Sequence, residues 1–409
     1  MGSVASLVYP FDAELDPKAR LPLLGRKAAG LNEMTRLGIP VPPGFTITPE
    51  AGTLYRNQGR FPRELRAEVE HAIGAVEAKL GRGFGEPSNP LLFSVRSGAA
   101  VSMPGMMDTV LNVGLNEQCL GALGERHGDE RFALDAYRRL LQMYGTIVRG
   151  IGIERFQRLL SERKAELGQP RMLDSELPVQ SLEGLVSDSL ALIESASGSP
   201  FPEEPYTQLW DAITAVFESW DNARAQRYRR MESIDPSLGT ACTVQAMVFG
   251  NAGPQSGSGV AFTRNPSSGD KELYGEYLAN AQGEDVVAGI RTPVALTRDA
   301  SPPGKEAQCL ELALPEAFEA IAEHCRRLEA HYGDMQDIEF TIEHGRPFLL
   351  QTRPAKRTAR AAVRVAVGMV KEGVLDRDQA LLRVDAASLG QLLQAHLPSA
   401  SELTARGIH

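Results

Sequence analysis

Near residue 240 the apolar residues of this chain change their spacing, and with it the folds open to the chain. From about 116 to 230 they recur at helical intervals: "ERFALDAYRRLLQMYGTIV" sets Phe132, Tyr137, Leu140, Leu141 and Tyr144 on one broad face. "LWDAITAVFESWDNARAQRYRR" reads as a further amphipathic helix. At 241–263 the text becomes "CTVQAMVFGNAGPQSGSGVAFTRNP", two β-rich runs around a Gly/Ser loop. Helices and strands come in blocks rather than in strict alternation, which argues for an α+β class over a doubly wound sheet.

Smaller signals fill in the rest. "GRKAAGLNEMTRLGIPVPPGFTIT" (25–48) opens on a small-residue turn, enters a short helix, breaks at Pro-Pro-Gly and ends as a strand. In "PRELRAEVEHAIGAVEAKLG" (62–81) Leu65, Val69, Ile73 and Val76 share one helical face and Gly81 lies past the end. "NPLLFSVRSG" (89–98) reads as a buried strand delivering Arg96 into a loop. A helix at 316–332 precedes "DIEFTIEHGRPFLLQTRP", a hairpin turning at "HGRP", and two helical stretches follow Pro354.

With 409 residues, 43 % of them hydrophobic, the chain can bury more than one core, so two or three domains are expected. A net charge of −9 argues against nucleic acid as the main partner. A nucleotide needs only a local basic cluster and stays open. No run of 18 apolar residues exists and the first twenty residues lack a signal-peptide core, so no membrane association is expected. Cys119, Cys242, Cys309 and Cys325 are scattered, which fits a reducing cytoplasm and excludes a C-x-x-C metal site.

Four patterns bear on chemistry. Strand alternation puts Asp337 and Glu339 on one face, about 7 Å apart, where two carboxylates either hold Mg²⁺ or simply face solvent. Gln351 and Arg353 on the returning strand share an alternation class and can join that face. In "GNAGPQSGSGVAFTRN" the glycines and Ser256 and Ser258 make either an anion-binding nest or an ordinary connector. Lys27 sits at a turn-to-helix junction and Arg96 at a strand end, positions suited to phosphate or to surface ion pairs. Together they are the inventory of a Mg-nucleotide phosphoryl-transfer site, where catalysis is charge neutralisation and positioning.

With those residues in view, "GRKAAGLNEMTRLGIPVPPGFTIT", "SVRSGAAVSMPGMMDTVLNVGLN", "VQAMVFGNAGPQSGSGVAFTRNPSSGDKELYGEYLANAQGEDVVAGIRTP" and "DMQDIEFTIEHGRPFLLQTRPAKRTA" resemble the N-terminal ATP-grasp portion of pyruvate phosphate dikinase. The match covers most of 20–120 and 235–385 and thins across the helical interior. It implies an α+β ATP-grasp fold of two lobes closing over Mg·ATP, with an inserted helical subdomain and a C-terminal helical tail. The implied limits are 1–115 with 200–247 for the N-terminal lobe, 116–199 for the helical subdomain, 248–355 for the C-terminal lobe and 356–409 for a linker or tail.

The resemblance also implies roles. ATP and Mg²⁺ are the cofactors. Lys27 and Arg96 hold phosphates, and the 102–109 loop reaches over them with Gly105. The "VQAMV" backbone, with Gln245, Met247 and Val248, meets adenine. Ser258 and Gly259 lie in the phosphate-covering loop. Asp337 and Glu339 make ribose or metal contacts, Glu339 and Gln351 ligate the metal, and Gln351 and Arg353 approach the transferred phosphoryls. A loop of Gly, Pro and Met can lie flat on polyphosphate and exclude water, while its methionines can also plug an interface.

Two departures stand out. The family's Gly-Gly-Lys-Gly-Ala-Asn run is here Gly25-Arg26-Lys27-Ala28-Ala29-Gly30, and Ser258 replaces a common Thr. The full family enzyme adds a phosphohistidine domain with a Thr-Ser-His-Ala segment and a barrel for pyruvate or phosphoenolpyruvate. None of His71, His127, His324, His331, His344, His396 and His409 sits in such a segment, and "LTARGIH" falls about where that domain would begin. The expected activity is therefore transfer of a phosphoryl or pyrophosphoryl group from Mg·ATP. The acceptor would be a separate phosphohistidine-domain protein or a small molecule. A non-catalytic nucleotide-binding module for regulation or assembly is the competing expectation. Retention of Lys27, Arg96, Asp337, Glu339, Gln351 and Arg353 speaks against it.

Overall fold

The computed structural model describes residues 6–101, 103, 105–288 and 291–393. Ser102 and Pro104 of the expected 102–109 loop, the end of the expected tail from 394 onward, and His396 and His409 lie outside the described residues. By contact density the chain divides into two units. One holds the described residues of 1–258 with 279–283 and 341–351; the other holds those of 259–278, 284–340 and 352–409.

The first unit begins β1 (Val8–Pro10), α1 (Pro17–Arg36), β2 (Gly44–Ile47), α2 (Pro49–Gln58), α3 (Arg63–Leu80), β3 (Phe93–Gly98) and β4 (Thr109–Val113). Six helices follow: α4 (Leu120–His127), α5 (Glu130–Met143), α6 (Ile153–Glu166), α7 (Val179–Ser197), α8 (Pro205–Glu218) and α9 (Ala223–Met231). Only then does β5 (Ala241–Ala246) enter, between β2 and β3, completing an antiparallel sheet of order β1-β2-β5-β3-β4. Its register opposes Val95, Val244 and Phe45 on one face, all fully buried, in a core shared with α3, α5, α7 and α8. The alternate residues form a polar row: Tyr9, Thr46, Thr243, Arg96 and Thr109 oppose one another across all five strands.

Most of the expected periods hold. In α3 the buried residues are Leu65, Val69, Ala72, Ile73 and Val76, and Gly81 caps its end in the left-handed conformation. Three expectations need correction. Arg96 lies inside β3, paired with Thr243 and Thr109, rather than in the loop after it, because β4 supplies a partner that the sequence of 94–98 does not announce. The helix expected over 209–230 is two helices, since the Asn222 side chain accepts from Ala225 N–H at 2.7 Å and starts α9 afresh. Helix α1 begins earlier than expected, at Pro17, and is interrupted at Gly25 (φ 73°, ψ 168°).

The second five-stranded sheet has the order β10-β9-β6-β7-β8. Its strands are β6 (Gly257–Phe262), β7 (Tyr274–Ala279), β8 (Val294–Ala295), β9 (Gln336–Glu343) and β10 (Arg346–Pro354), joined in sequence by α10 (Gly283–Ala288), α11 (Leu310–Ala313) and α12 (Pro315–Tyr332). As expected, β9 and β10 form a hairpin turning at His344-Gly345. Beyond it, α13 (Ala359–Lys371) and α14 (Arg377–Leu382) bury Val365, Ala366, Met369 and Ala380 with Met335. Arg264, 1 % exposed, is bonded to Glu329 and Glu372 at 2.7–3.1 Å and ties α12 to the end of α13. Breaking one partner of such a buried cluster costs about 3–5 kcal/mol. Helices segregate from antiparallel strands, so the class is α+β. No described helix is long and apolar enough to cross a membrane.

Among the described glycines Gly25 makes the closest approach. A Cβ there would lie 1.8 Å from the Gly98 carbonyl oxygen, at a φ/ψ pair that side chains avoid. Gly25→Ala is expected to destabilise the chain by about 3 kcal/mol or more, read as a lower urea midpoint. A loss under about 1 kcal/mol would show that the approach is not as close as described.

Candidate functional site

Glycine brings the helix segment of Lys27 against the strand of Arg96. Because Gly25 lies against Gly98, the Arg26 N–H reaches the Ala99 carbonyl at 3.0 Å, and the second segment of α1 starts at the end of β3. Lys27, half-buried, is in its first turn, and the site of a Gly98 Cβ is only 3.6 Å from Lys27 Cβ and 3.5 Å from Thr243 Oγ1. Arg96 precedes Gly98 by two residues and opposes Thr243. The fully buried hydroxyls of Thr243 and Thr46, neighbours in the polar row, have no hydrogen-bond partner. A helix start bearing a lysine, set against the end of a strand bearing an arginine, is an arrangement suited to an anion.

The methionine-rich loop is anchored from beneath. Ala99 and Met103 are buried with Trp220 and Ala225, and Met106, Met107, Tyr228 and Ile234 pack around them. Asn222 Nδ2 donates to the Met106 carbonyl at 3.1 Å, and Asp108 N–H to Ser219 Oγ at 3.4 Å. Gly105, exposed with φ 69°, has nothing within 4 Å of where a side chain would begin. The methionines therefore plug a tryptophan-floored pocket and leave the glycine at the surface.

Downstream of β5 the chain is heavily braced. Gln245 is buried in the strand, its Nε2 donating to the Pro42 carbonyl at 3.1 Å, and Met247 N–H donates to Leu92 at 2.9 Å. The Val248 carbonyl accepts from Gln282 Nε2 at 3.4 Å. In the Gly/Ser loop the amides of Gly250, Gly253 and Ser256 are already bonded, to Gln282, Asn280 and the Gly253 carbonyl, so those three do not form an open nest. Ser258 and Gly259 lie within β6 rather than in a loop. Ser258 is buried with its hydroxyl 3.1 Å from Thr341 Oγ1. A side chain on Gly259 would meet the Glu276 carbonyl at 2.5 Å, so this glycine marks a close strand approach, the ordinary meaning of glycine inside a strand.

In the second unit β9 alternates as its sequence requires: Ile338 and Phe340 are buried in the core, with Asp337 and Glu339 on the other face. Asp337 Oδ2 accepts from Arg353 Nε at 2.8 Å, across the hairpin. Its Oδ1 is buried without a partner. Burial raises the pKa of this carboxyl, Arg353 opposes that rise and Glu339 adds to it. Glu339 is half-buried, as is Gln351 on β10, which belongs by its contacts to the first unit. Among the described residues no group of three or more His, Cys, Asp or Glu could cage a metal. An unsatisfied carboxylate oxygen with a second carboxylate nearby in sequence does suit Mg²⁺, which keeps waters and takes few protein ligands. Sequence reasoning did not find Thr243, Asn280, Gln282 or Glu343, whose partners are fixed only by the fold.

Comparison with known proteins places the chain with nucleotide-binding domains. Residues 57–311 and 297–373 match the family model described as pyruvate phosphate dikinase, AMP/ATP-binding domain. The chain is 53 % identical over 372 residues to a pyruvate, phosphate dikinase of Rhizobium meliloti (strain 1021), covering 90 % of this chain and 41 % of that protein. It is 48 % identical over 391 residues to the chloroplastic pyruvate, phosphate dikinase of Flaveria pringlei, covering 94 % and 39 %. With the Clostridium symbiosum pyruvate, phosphate dikinase it shares 47 % over 373 residues, covering 91 % and 41 %. The chain thus spans about two fifths of the length of these relatives.

Asp337 supplies a prediction whose sign is fixed by its raised pKa. A carboxyl that ionises less readily when folded stabilises the native state below its unfolded pKa, and that contribution is lost as pH rises through the folded value. Asp337→Asn removes the titration. The unfolding free energy of the variant minus that of the wild type should move in the variant's favour as pH rises through this window. A difference that stays flat, or moves the other way, contradicts the burial argument.

Proposed function

This chain belongs to the pyruvate phosphate dikinase AMP/ATP-binding domain family, and from that premise we propose that it binds Mg·ATP and transfers a phosphoryl or pyrophosphoryl group from it. The observation that supports the proposal is the placement of the Lys27 helix segment against the end of the strand that carries Arg96. The two segments are far apart in sequence and are brought together by the contact of Gly25 with Gly98. Two fixed cations beside a helix start neutralise phosphate charge without reorganising, the main contribution in phosphoryl transfer.

The remaining roles follow in the ATP-grasp manner, with two lobes closing on the nucleotide. Lys27 and Arg96 hold the phosphates, the loop bearing Gly105 covers them and excludes water, and Arg353 stabilises the group in transfer. The Gln245–Val248 backbone meets adenine, and Ser258 and Gly259 contribute from β6 rather than from a loop. Glu339 and Gln351 would hold Mg²⁺, with Asp337 beside them on ribose or metal. Bound there, Mg²⁺ would supply positive charge that offsets the phosphates. The acceptor is a phosphohistidine-domain protein or a small molecule; from the reaction named in the relatives, we assign to this chain the ATP step. The four cysteines are buried free thiols, which supports placing this chemistry in the reducing cytoplasm.

Nucleotide product analysis tests the proposal, with Mg·ATP and with or without a separately made phosphohistidine domain. AMP with pyrophosphate or phosphate is the outcome expected of a dikinase-type half-reaction, and ADP alone would indicate an ordinary kinase. Lys27→Ala and Arg96→Ala should each lower turnover by about 10²-fold or more. Thermal stabilisation by ATP with no turnover against any acceptor would instead favour a binding module.

A further inference from the structure

The stretch Ala279–Gly283 belongs by its contacts to the first unit, although the residues on both sides of it belong to the second. Its hydrogen bonds explain this. Asn280 has φ 47°, a left-handed conformation that asparagine tolerates better than most residues. There its N–H donates to the Ser256 carbonyl at 2.7 Å, and its Oδ1 accepts from Gly253 N–H at 3.1 Å. Ala281 N–H then donates to the Gly250 carbonyl at 2.9 Å.

Gln282 completes the set. Its Oε1 accepts from Gly250 N–H at 3.0 Å while its Nε2 donates to the Val248 carbonyl at 3.4 Å. One side-chain amide thus spans two alternate residues of a segment, as the backbone of a neighbouring strand would. Between them Phe249 donates its N–H to Glu343 Oε1 at 2.9 Å and sets its ring against Phe132 and His127, with centroids 5.0 and 5.4 Å away. Upstream, Met247 N–H is held by Leu92. The backbone of 247–250 is fixed at every residue, and Gln282, 7 % exposed, holds two of the four.

We propose that Gln282 is a positioning residue for base recognition: by bracing Val248 and Gly250 it keeps the Met247–Val248 peptide in one orientation, so that a 6-amino purine is accepted and a 6-oxo purine rejected. The proposal rests on the reading above in which this segment meets the adenine edge. A 6-amino purine offers a donor beside an acceptor, and a 6-oxo purine offers the reverse pair. A Met247 carbonyl held toward position 6 accepts from an amino group and repels an oxo group; because the C=O and N–H of one trans peptide point in opposite directions, a peptide free to turn over can offer its N–H to the oxo group instead.

Calorimetric titration of the full chain with Mg·ATP, Mg·GTP and Mg·tripolyphosphate tests this, using the wild type, Gln282→Leu and Gln282→Glu. The wild type is expected to prefer ATP to GTP. Gln282→Leu should lose about tenfold of that preference, with tripolyphosphate affinity unchanged. Gln282→Glu keeps the acceptor for Gly250 and loses the donor to Val248, so it should fall between the two, and it carries the test if the leucine variant does not fold. Wild-type preference in both variants overturns the proposal. So does an equal loss of affinity for all three ligands, the sign of a merely structural role. A wild type that binds no ATP removes the underlying reading, and the proposal with it.

Discussion

Gly25 and Gly98 touch through backbone alone, and the placement of Lys27 beside the strand of Arg96 follows from that contact. No side chain fits between Gly25 and the Gly98 carbonyl, so the helix restarts at Arg26 directly over the strand end. The family run Gly-Gly-Lys-Gly-Ala-Asn looks damaged here by its Arg and Ala replacements, but the fold separates its glycines by need. Gly25 alone has a non-helical conformation; Arg26 points outward and Ala28 is fully buried under the helix. The substituted positions are helical ones that carry a side chain without strain, and the glycine that the turn requires is kept.

The late entry of β5 has a comparable reach. Arriving after six helices and threading between β2 and β3, it completes the polar row in which Thr46, Thr243 and Arg96 stand side by side. An unsatisfied buried hydroxyl costs about 1–3 kcal/mol, and two adjacent ones in a sheet otherwise built on Phe, Val and Ile make a polar floor beside the arginine. The same strand runs on into the Met247–Gly250 segment, whose polar groups are held by Leu92, Gln282, Glu343 and Ala281. A single strand thus connects the cation-bearing end of the sheet with a braced stretch of backbone.

What the sequence disclosed followed local physics. The period and terminal glycine of α3, the β9–β10 hairpin, and the sharing of a face by Asp337 and Arg353 are each fixed by neighbours a few residues away or across one tight turn. Reading failed where a distant partner decides. The strand over 89–98 is legible, but Arg96 reads as delivered into a loop because the small polar residues around it are poor strand formers, yet flanking β4 and β5 hold it inside the strand. Gly257 and Gly259 resemble a phosphate loop, whereas close approach of β7 is what the second of them serves. The Asn222 cap was hidden inside a continuous amphipathic period. Gln282 carried no signal at all, since nothing in "LANAQGED" points to a loop some thirty residues earlier.

The account stands on two cations meeting a triphosphate, and a crystal structure with Mg²⁺ and a non-hydrolysable ATP analogue would examine that meeting atom by atom. The predicted result is phosphate oxygens within hydrogen-bonding distance of both Lys27 Nζ and the Arg96 guanidinium, over the strand end at Gly98. An analogue bound elsewhere, with neither side chain touching phosphate, would contradict it.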